Sequence, residues 1–586
     1  MIAILLNCDE KFLLEAEYVF SIFTEILGIP CQIFKPSQAP DLSGYKILIK
    51  YENSETHSKS FNGFLIKIFF YDYPRFLESN LEPKVRFIQN HDFNKRIPYF
   101  FSQNSKVEGQ VWWRDVETGQ TLINYDKLQL NCCVDLVSSA YHVLSLQNEA
   151  CISSRDELGR FQRDFASSSE PVYDFPIVDC YCNLLFSFLQ KASHELELSI
   201  VQKSYWPSRF KFAVCLTHDI DRLNTWTLSK VVRNLKFYVR KKVYLNVFKF
   251  IVRLFKQILS ILTLSNWQGN FGLIVREEQK FGFNSSFYFV AGKQDSLDPD
   301  YELNSSRLVK VFQTLKKQRV EIGLHGSIKT ADVGDLLKEE KRALMQIIKE
   351  DIHGGRQHFL RFVYPKTFEN IQQADLRYDS TLGFATALGY RCGVSFPFKP
   401  FNRDLKYTFS FYEIPLHVMD AAIMKDENYT VLEGENFSNL FDRIEKFLVN
   451  ARNYQGCLTL LWHNSNFDPV DVTGYTKLYR EILKWAYEHG GWGCCGFELW
   501  DWWTKRSAFR LTQAINSADG IELNLSQFQT DTVFLRLMRP HEHQEFEVSS
   551  KDCRVTTQYE KEFLHLKLDQ IKADSIFITL SPISHI

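Results

Sequence analysis

From residue 212 to residue 503 the chain repeats one unit: a short apolar run, a polar side chain at its end, then a stretch with helical spacing. The apolar runs are "FAVCLTHDID", "SSFYFVAG", "VEIGLHGS", "HFLRFVYP", "YRCGVSF", "FYEIPLHVMD" and "CLTLLWHN", and each reads as a strand. Strands that alternate with helices are joined by crossovers. Such connections set the strands parallel in one sheet, open or closed into a barrel. The predicted class is α/β.

The chain has 586 residues, more than one hydrophobic core organises, so flanking domains are expected. Residues 1–205 carry "YKILIKY", "FLIKIFF" and the helical spacing of Val134, Val137, Tyr141 and Leu144, which predict an N-terminal α/β accessory domain. The repeated unit fills 206–504. Residues 505–586 contain "IELNL", "TVFLRLM", "FEVSS", "LHLKL" and "SIFITLS" with no helical pattern between them, so a small β-rich domain is expected. One insert, at about 227–270, stands apart, because no acidic residue occurs between Asp221 and Glu277. Its Lys and Arg alternate with Phe, Val, Leu and Ile. A basic amphipathic helix of this kind packs on a barrel with its charges solvated, or makes peripheral contact with an anionic membrane.

A net charge of −1 gives the whole chain no electrostatic pull on nucleic acid. The thirteen cysteines include adjacent pairs, Cys132-Cys133 and Cys494-Cys495, and no paired CxxC motif, so free thiols in a reducing compartment are expected. The opening "MIAILLNCDEKF" has no basic segment before its apolar residues and reads as a first strand. No apolar run reaches the ~18 residues that suggest a membrane span. The expected location is cytoplasmic, with the inner membrane surface within reach of the basic insert.

The strand ends carry the chemistry. Asp219 and Asp221 end the first run, His325 the third, Arg361 the fourth and His463 the last. In barrels of alternating strands and helices, functional groups gather at the C-terminal strand ends. A carboxylate and an imidazole suit a divalent metal such as zinc, which polarises a carbonyl and acidifies water. A second carboxylate can take a proton, a separate histidine can protonate a leaving group, and an arginine beside the base would hold it ionised. Taken singly, Asp219 and Asp221 could equally cap a helix.

In their order, "THDID", "LHGS", "LRFVYP" and "LTLLWHN" resemble the motifs of the polysaccharide deacetylase family, the NodB-homology or carbohydrate esterase family 4 type. "LTHDID", "GLHGS", "RQHFLRF", "YDSTLGF" and "LLWHN" are similar to a bacterial subgroup with a separate N-terminal domain, associated with surface polysaccharide production. The resemblance implies a distorted (β/α) barrel and a metal-dependent hydrolase that removes acetyl groups from N-acetylated sugars. It implies that Asp219 is the catalytic base, Asp221 and His325 are metal ligands, Arg361 orients the base and His463 assists the leaving group. The implied partner is an N-acetylated oligosaccharide or polysaccharide precursor.

One departure stands out. The family's second motif has a further histidine four residues on, where this chain has Lys329. A protonated lysine cannot be a ligand. His358 is the candidate third ligand by proximity in sequence, although alternation in a strand would turn it away from Arg361. With Lys329 in the metal position, the chain would instead be a degenerate barrel that binds glycan or scaffolds polysaccharide synthesis.

Overall fold

The computed structural model describes residues 2–583, except 39, 54–60, 72–84, 91–95, 103–109, 151, 164–171, 209, 300, 427–431, 433, 468–473, 517–519, 572 and nearly all of 224–268. The basic insert therefore lies outside the described residues, apart from isolated positions and its last turn. Among the described residues no helix is long and apolar enough to cross a membrane.

The central domain is built on a nine-stranded sheet in which every pairing is parallel. Its order is Tyr412–Glu413, Tyr378–Asp379, Gly354–Gln357, Glu321–Gly326, Ser286–Val290, Phe212–Ile220, Cys457–Leu461, Val418–Met419. The strand Phe212–Ile220 is buried throughout and branches. Its residues 217–220 pair with Ser286–Val290, while 212–215 pair with Gly491–Cys494. The two edge strands are separated only by residues 414–417, whose amides extend both ladders: Ile414 N–H donates to Asp379 O and His417 N–H to Thr459 O. That short link draws the edges together and curls the sheet towards a barrel.

Three predicted strands are corrected. "FYEIPLHVMD" is two strands, Tyr412–Glu413 and Val418–Met419, at the two edges of the sheet. "YRCGVSF" is irregular, turning at Gly393 with φ 64°. The fourth strand is not "HFLRFV" but the preceding Gly354–Gln357, "GGRQ". A Cβ on Gly355 would lie 2.0 Å from Leu324 O, and one on Gly354 would lie 2.3 Å from the Tyr378 ring. Only glycine fits between these neighbours, and glycine is what makes a strand illegible to β-propensity. The chain leaves the sheet at His358–Leu360, a turn in which Phe359 (φ 61°) and Leu360 (φ 55°) are both left-handed.

The N-terminal domain is a nine-stranded mixed sheet. Its parallel part runs Cys31–Phe34, Ile2–Asn7, Ile47–Glu52, Phe64–Phe69, Gln129–Cys132, and the remaining strands are antiparallel. Helix Leu136–Leu144 starts at Asp135, whose carboxylate accepts from Val137 N–H and Ser138 N–H. One continuous core joins this domain to the barrel, from Ile2 and Phe20 through Tyr181 to Leu216 and Trp503.

The C-terminal domain is a pair of four-stranded antiparallel sheets with its own core of Leu523, Leu535, Leu566 and Ile578. Strand Ile200–Lys203, expected within the N-terminal domain, pairs instead with Thr532–Met538 in this unit. Its four residues are too few to reveal a partner from their pattern alone.

Candidate metal centre

Asp219 is the last but one residue of the first barrel strand, and its backbone pairs in parallel with Tyr288 of the neighbouring strand. Its side chain is 4% exposed and its Oδ1 accepts from Arg356 Nη1 at 2.9 Å. Arg356 is clamped in turn. Its Nε donates to Ser380 O at 2.7 Å, Nη2 to Ser380 Oγ at 2.9 Å and Nη1 also to Thr217 Oγ1 at 3.0 Å. A buried carboxylate is tolerated only with such a partner.

Here the structure corrects the sequence. Arg361, predicted beside the base, donates through Nη2 to Asp332 at 2.6 Å and through Nη1 to Ile328 O at 3.1 Å. The arginine on Asp219 is Arg356, within the glycine strand that the apolar pattern had missed. Because the chain turns at His358–Leu360, Arg361 lies beyond the sheet rather than on it.

Asp221 follows the strand end and is about a third exposed, at 34%. Three imidazoles face it. His325 Nε2 lies 3.4 Å and His358 Nε2 3.7 Å from Oδ1, and His463 Nε2 lies 3.6 Å from Oδ2. Donor atoms of Asp221, His325 and His358 all lie within 4.8 Å of one another. The alternation that counted against His358 does not apply, because His358 is in a turn.

Both histidines present their Nε2 because Nδ1 is engaged. His325 Nδ1–H donates to Arg356 O at 2.9 Å. His358 Nδ1–H donates to Asp298 Oδ1 at 3.1 Å. This is the outer-shell arrangement that orients histidine ligands. Asp298 also accepts from Ile328 N–H at 2.9 Å, just past His325, so one carboxylate ties the turn after the His325 strand to the turn that carries His358. Burial opposes the charge on Asp221, yet His325, His463 and His358 together pull its carboxyl well below the usual range. Burial likewise opposes protonation of His325, and Asp219 and Asp221 more than reverse this, raising its pKa. The pocket therefore favours positive charge at Nε2.

The donor set fits a divalent ion. Asp221 Oδ1 is buried and has no hydrogen-bond partner among the described residues. Two nitrogens and one carboxylate oxygen are a ligand set that zinc accepts with a position left open. Lys329, four residues after His325, is exposed in a short helical turn and does not fill the place of a ligand.

His463 follows strand Cys457–Leu461 and meets Asp420 twice. Its Nδ1–H donates to Oδ1 at 2.6 Å and its backbone N–H to Oδ2 at 2.8 Å. Burial lowers the His463 pKa, but the Asp420 carboxylate, with Asp221 and Asp219, lifts it to about 10. His463 thus stays protonated at neutral pH. Sequence reasoning missed Arg356, Asp298 and Asp420. Asp298 sits in an acidic loop and Asp420 opens a helix, and neither position differs in pattern from an ordinary surface carboxylate. His218, by contrast, points away as alternation requires, with Nε2 2.8 Å from Glu278 Oε1 and Nδ1 2.6 Å from Trp462 O.

Residues 4–194, about a third of the chain, match the model of a family of unknown function, DUF7033. No curated protein matches. Among solved structures, a carbohydrate deacetylase, Agd3, aligns over 100% of this chain and 99% of its own at 10% identity and a TM-score of 0.36. A Mycobacterium smegmatis protein assigned as a polysaccharide deacetylase covers 51% of this chain and 92% of its own, at 13% identity and TM-score 0.32. The allantoinase Puue covers 51% and 93%, at 11% identity and TM-score 0.33. Similarities of this size leave the chemistry to be read from the centre itself.

Proposed function

We propose that the chain is a metal-dependent hydrolase that removes the acetyl group from an N-acetylated sugar of a surface polysaccharide or its precursor. The observation that carries this reading is the convergence, from separate strand ends, of three metal-type donors with the Asp219 carboxylate 3.6 Å from His325 Nε2 and the His463 imidazole 3.6 Å from Asp221 Oδ2. The motifs "LTHDID", "GLHGS" and "LLWHN" support the same class of reaction.

Asp221, His325 and His358 would hold the ion, with zinc the metal best matched to them. When bound, it would polarise the amide carbonyl and lower the pKa of water. Asp219, held in place by Arg356 Nη1 at 2.9 Å, is suited to accept the proton of the attacking water. His463, kept protonated by Asp420, is suited to give a proton to the departing sugar nitrogen. The rival reading, a barrel that has lost its metal and only binds glycan, would gain from Lys329 in the ligand position, and Lys329 is instead exposed in a short helical turn.

Metal analysis of purified wild type beside Asp221→Ala and His325→Ala, with acetate release from N-acetylated chito-oligosaccharides, tests the proposal. Near-stoichiometric metal and acetate release in the wild type, both lost in the variants, is the expected result. A wild type that takes up no zinc, cobalt or nickel would overturn it.

A further inference from the structure

The turn that carries His358 is closed by one backbone bond, Arg361 N–H to His358 O at 3.2 Å. Phe359 and Leu360 adopt consecutive left-handed conformations, which side chains other than glycine rarely take, and the Phe359 ring stacks on the His358 imidazole at 4.1 Å. Besides Asp298, which meets the His358 ring, a group from the N-terminal side of the chain engages the backbone of this turn. Arg160 Nη1 donates to Phe359 O at 2.7 Å, across a sequence separation of 199 residues. Arg160 is 8% exposed, and its other guanidinium nitrogens are spent on Asp156, with Nε at 2.8 Å and Nη2 at 2.8 Å from Oδ2.

Asp156 organises the loop around that arginine. Its Oδ1 accepts from Leu158 N–H at 3.0 Å and Arg160 N–H at 2.9 Å, and Gln162 Nε2 donates to Oδ2 at 2.8 Å. The same loop reaches the far side of the turn, where Arg361 Nε donates to Leu158 O at 3.3 Å. The loop thus holds the Phe359 carbonyl before Leu360 and the Arg361 side chain after it. An arginine forked onto a carboxylate is a rigid donor, well matched to holding one carbonyl in place.

We propose that Arg160, set by Asp156, is a positioning residue for the metal ligand His358, so that the accessory segment completes the metal centre of the barrel. The inference rests on Asp221, His325 and His358 being that centre. Outer-shell partners of this kind typically change metal affinity ~10–100-fold when removed.

The test uses the full chain. Zinc affinity is measured by chelator competition, and the visible spectrum of the cobalt-loaded protein is recorded, for wild type, His358→Ala, Arg160→Ala, Arg160→Lys and Arg163→Ala. Arg163 also bonds the barrel, through Leu388 O at 3.0 Å, so it controls for general loosening of the contact. Expected are a loss of affinity of ~10-fold or more and an altered cobalt spectrum in Arg160→Ala, partial recovery in Arg160→Lys, and wild-type behaviour in Arg163→Ala. Hydrogen–deuterium exchange over residues 354–364 of the metal-free protein should rise in Arg160→Ala alone. If His358→Ala weakens binding while Arg160→Ala does not, the positioning role is overturned and the metal centre stands. If the wild type binds no metal, both fall together.

Discussion

Two buried polar regions of this chain handle charge in opposite ways. At the seam between the N-terminal domain and the barrel, Arg391 and Asp179 are both answered within the protein. Arg391 meets Glu149 with Nε at 2.7 Å and Nη2 at 2.8 Å, a two-pronged pair, and spends Nη1 on Gly383 O at 3.1 Å. Asp179 accepts from Ser395 N–H at 3.1 Å and from the Ser395 hydroxyl. At the metal centre the pairing is left incomplete. Asp221 faces three imidazoles at 3.4 to 3.7 Å, and its buried Oδ1 has no hydrogen-bond partner among the described residues. Closed pairs hold two domains together, whereas an open valence among oriented donors marks a place for a ligand.

The comparison can be broken first at the centre. Asp219→Asn should lower acetate release by ~10²–10⁴-fold, the usual worth of a positioned base, while metal content stays at the wild-type level. Activity within a few-fold of wild type would remove Asp219 from the reaction. At the seam the expected effect is on folding. Arg391→Ala strands the buried Glu149 carboxylate and should cost about 3–5 kcal/mol in a denaturant titration, and Glu149→Gln combined with Arg391→Met should recover most of it. A near-neutral Arg391→Ala would mean that the seam charges are not closed as described.

The smallest effect concerns pH. Burial, partly offset by Ser395, raises the Asp179 carboxyl from 3.8 to about 7. The folded chain therefore keeps a proton that the unfolded chain releases above about 4. This contribution to stability is fully present below about pH 4 and is lost as pH rises through about 7. Asp179→Asn should flatten that part of the profile, seen as a smaller fall in Tm between pH 4 and 7.5 than in the wild type. Parallel profiles would mean that Asp179 is ionised in the fold.

The strands that were legible in the sequence are those whose apolar residues stand in unbroken runs, such as Phe212–Ile220 and Cys457–Leu461. Their ends lead directly to Asp219, Asp221 and His463, and the run "EIGLHG" leads to His325 in the same way. The strand Gly354–Gln357 was not legible, because its glycines answer to Leu324 and Tyr378, contacts that no local pattern records. Missing it moved the arginine assignment from Arg356 to Arg361 and placed His358 in a strand that does not exist.

The sequence by itself determined the repeated strand-and-helix order and the residue types at most strand ends. These follow from local periodicity and from the cost of burying a charge. Only the tertiary structure decided which arginine holds Asp219, which carboxylates orient His358 and His463, and that an N-terminal arginine braces a barrel turn. Each of those pairings joins residues far apart in the chain, and distance along the chain carries no information about distance in space until the sheet has curled.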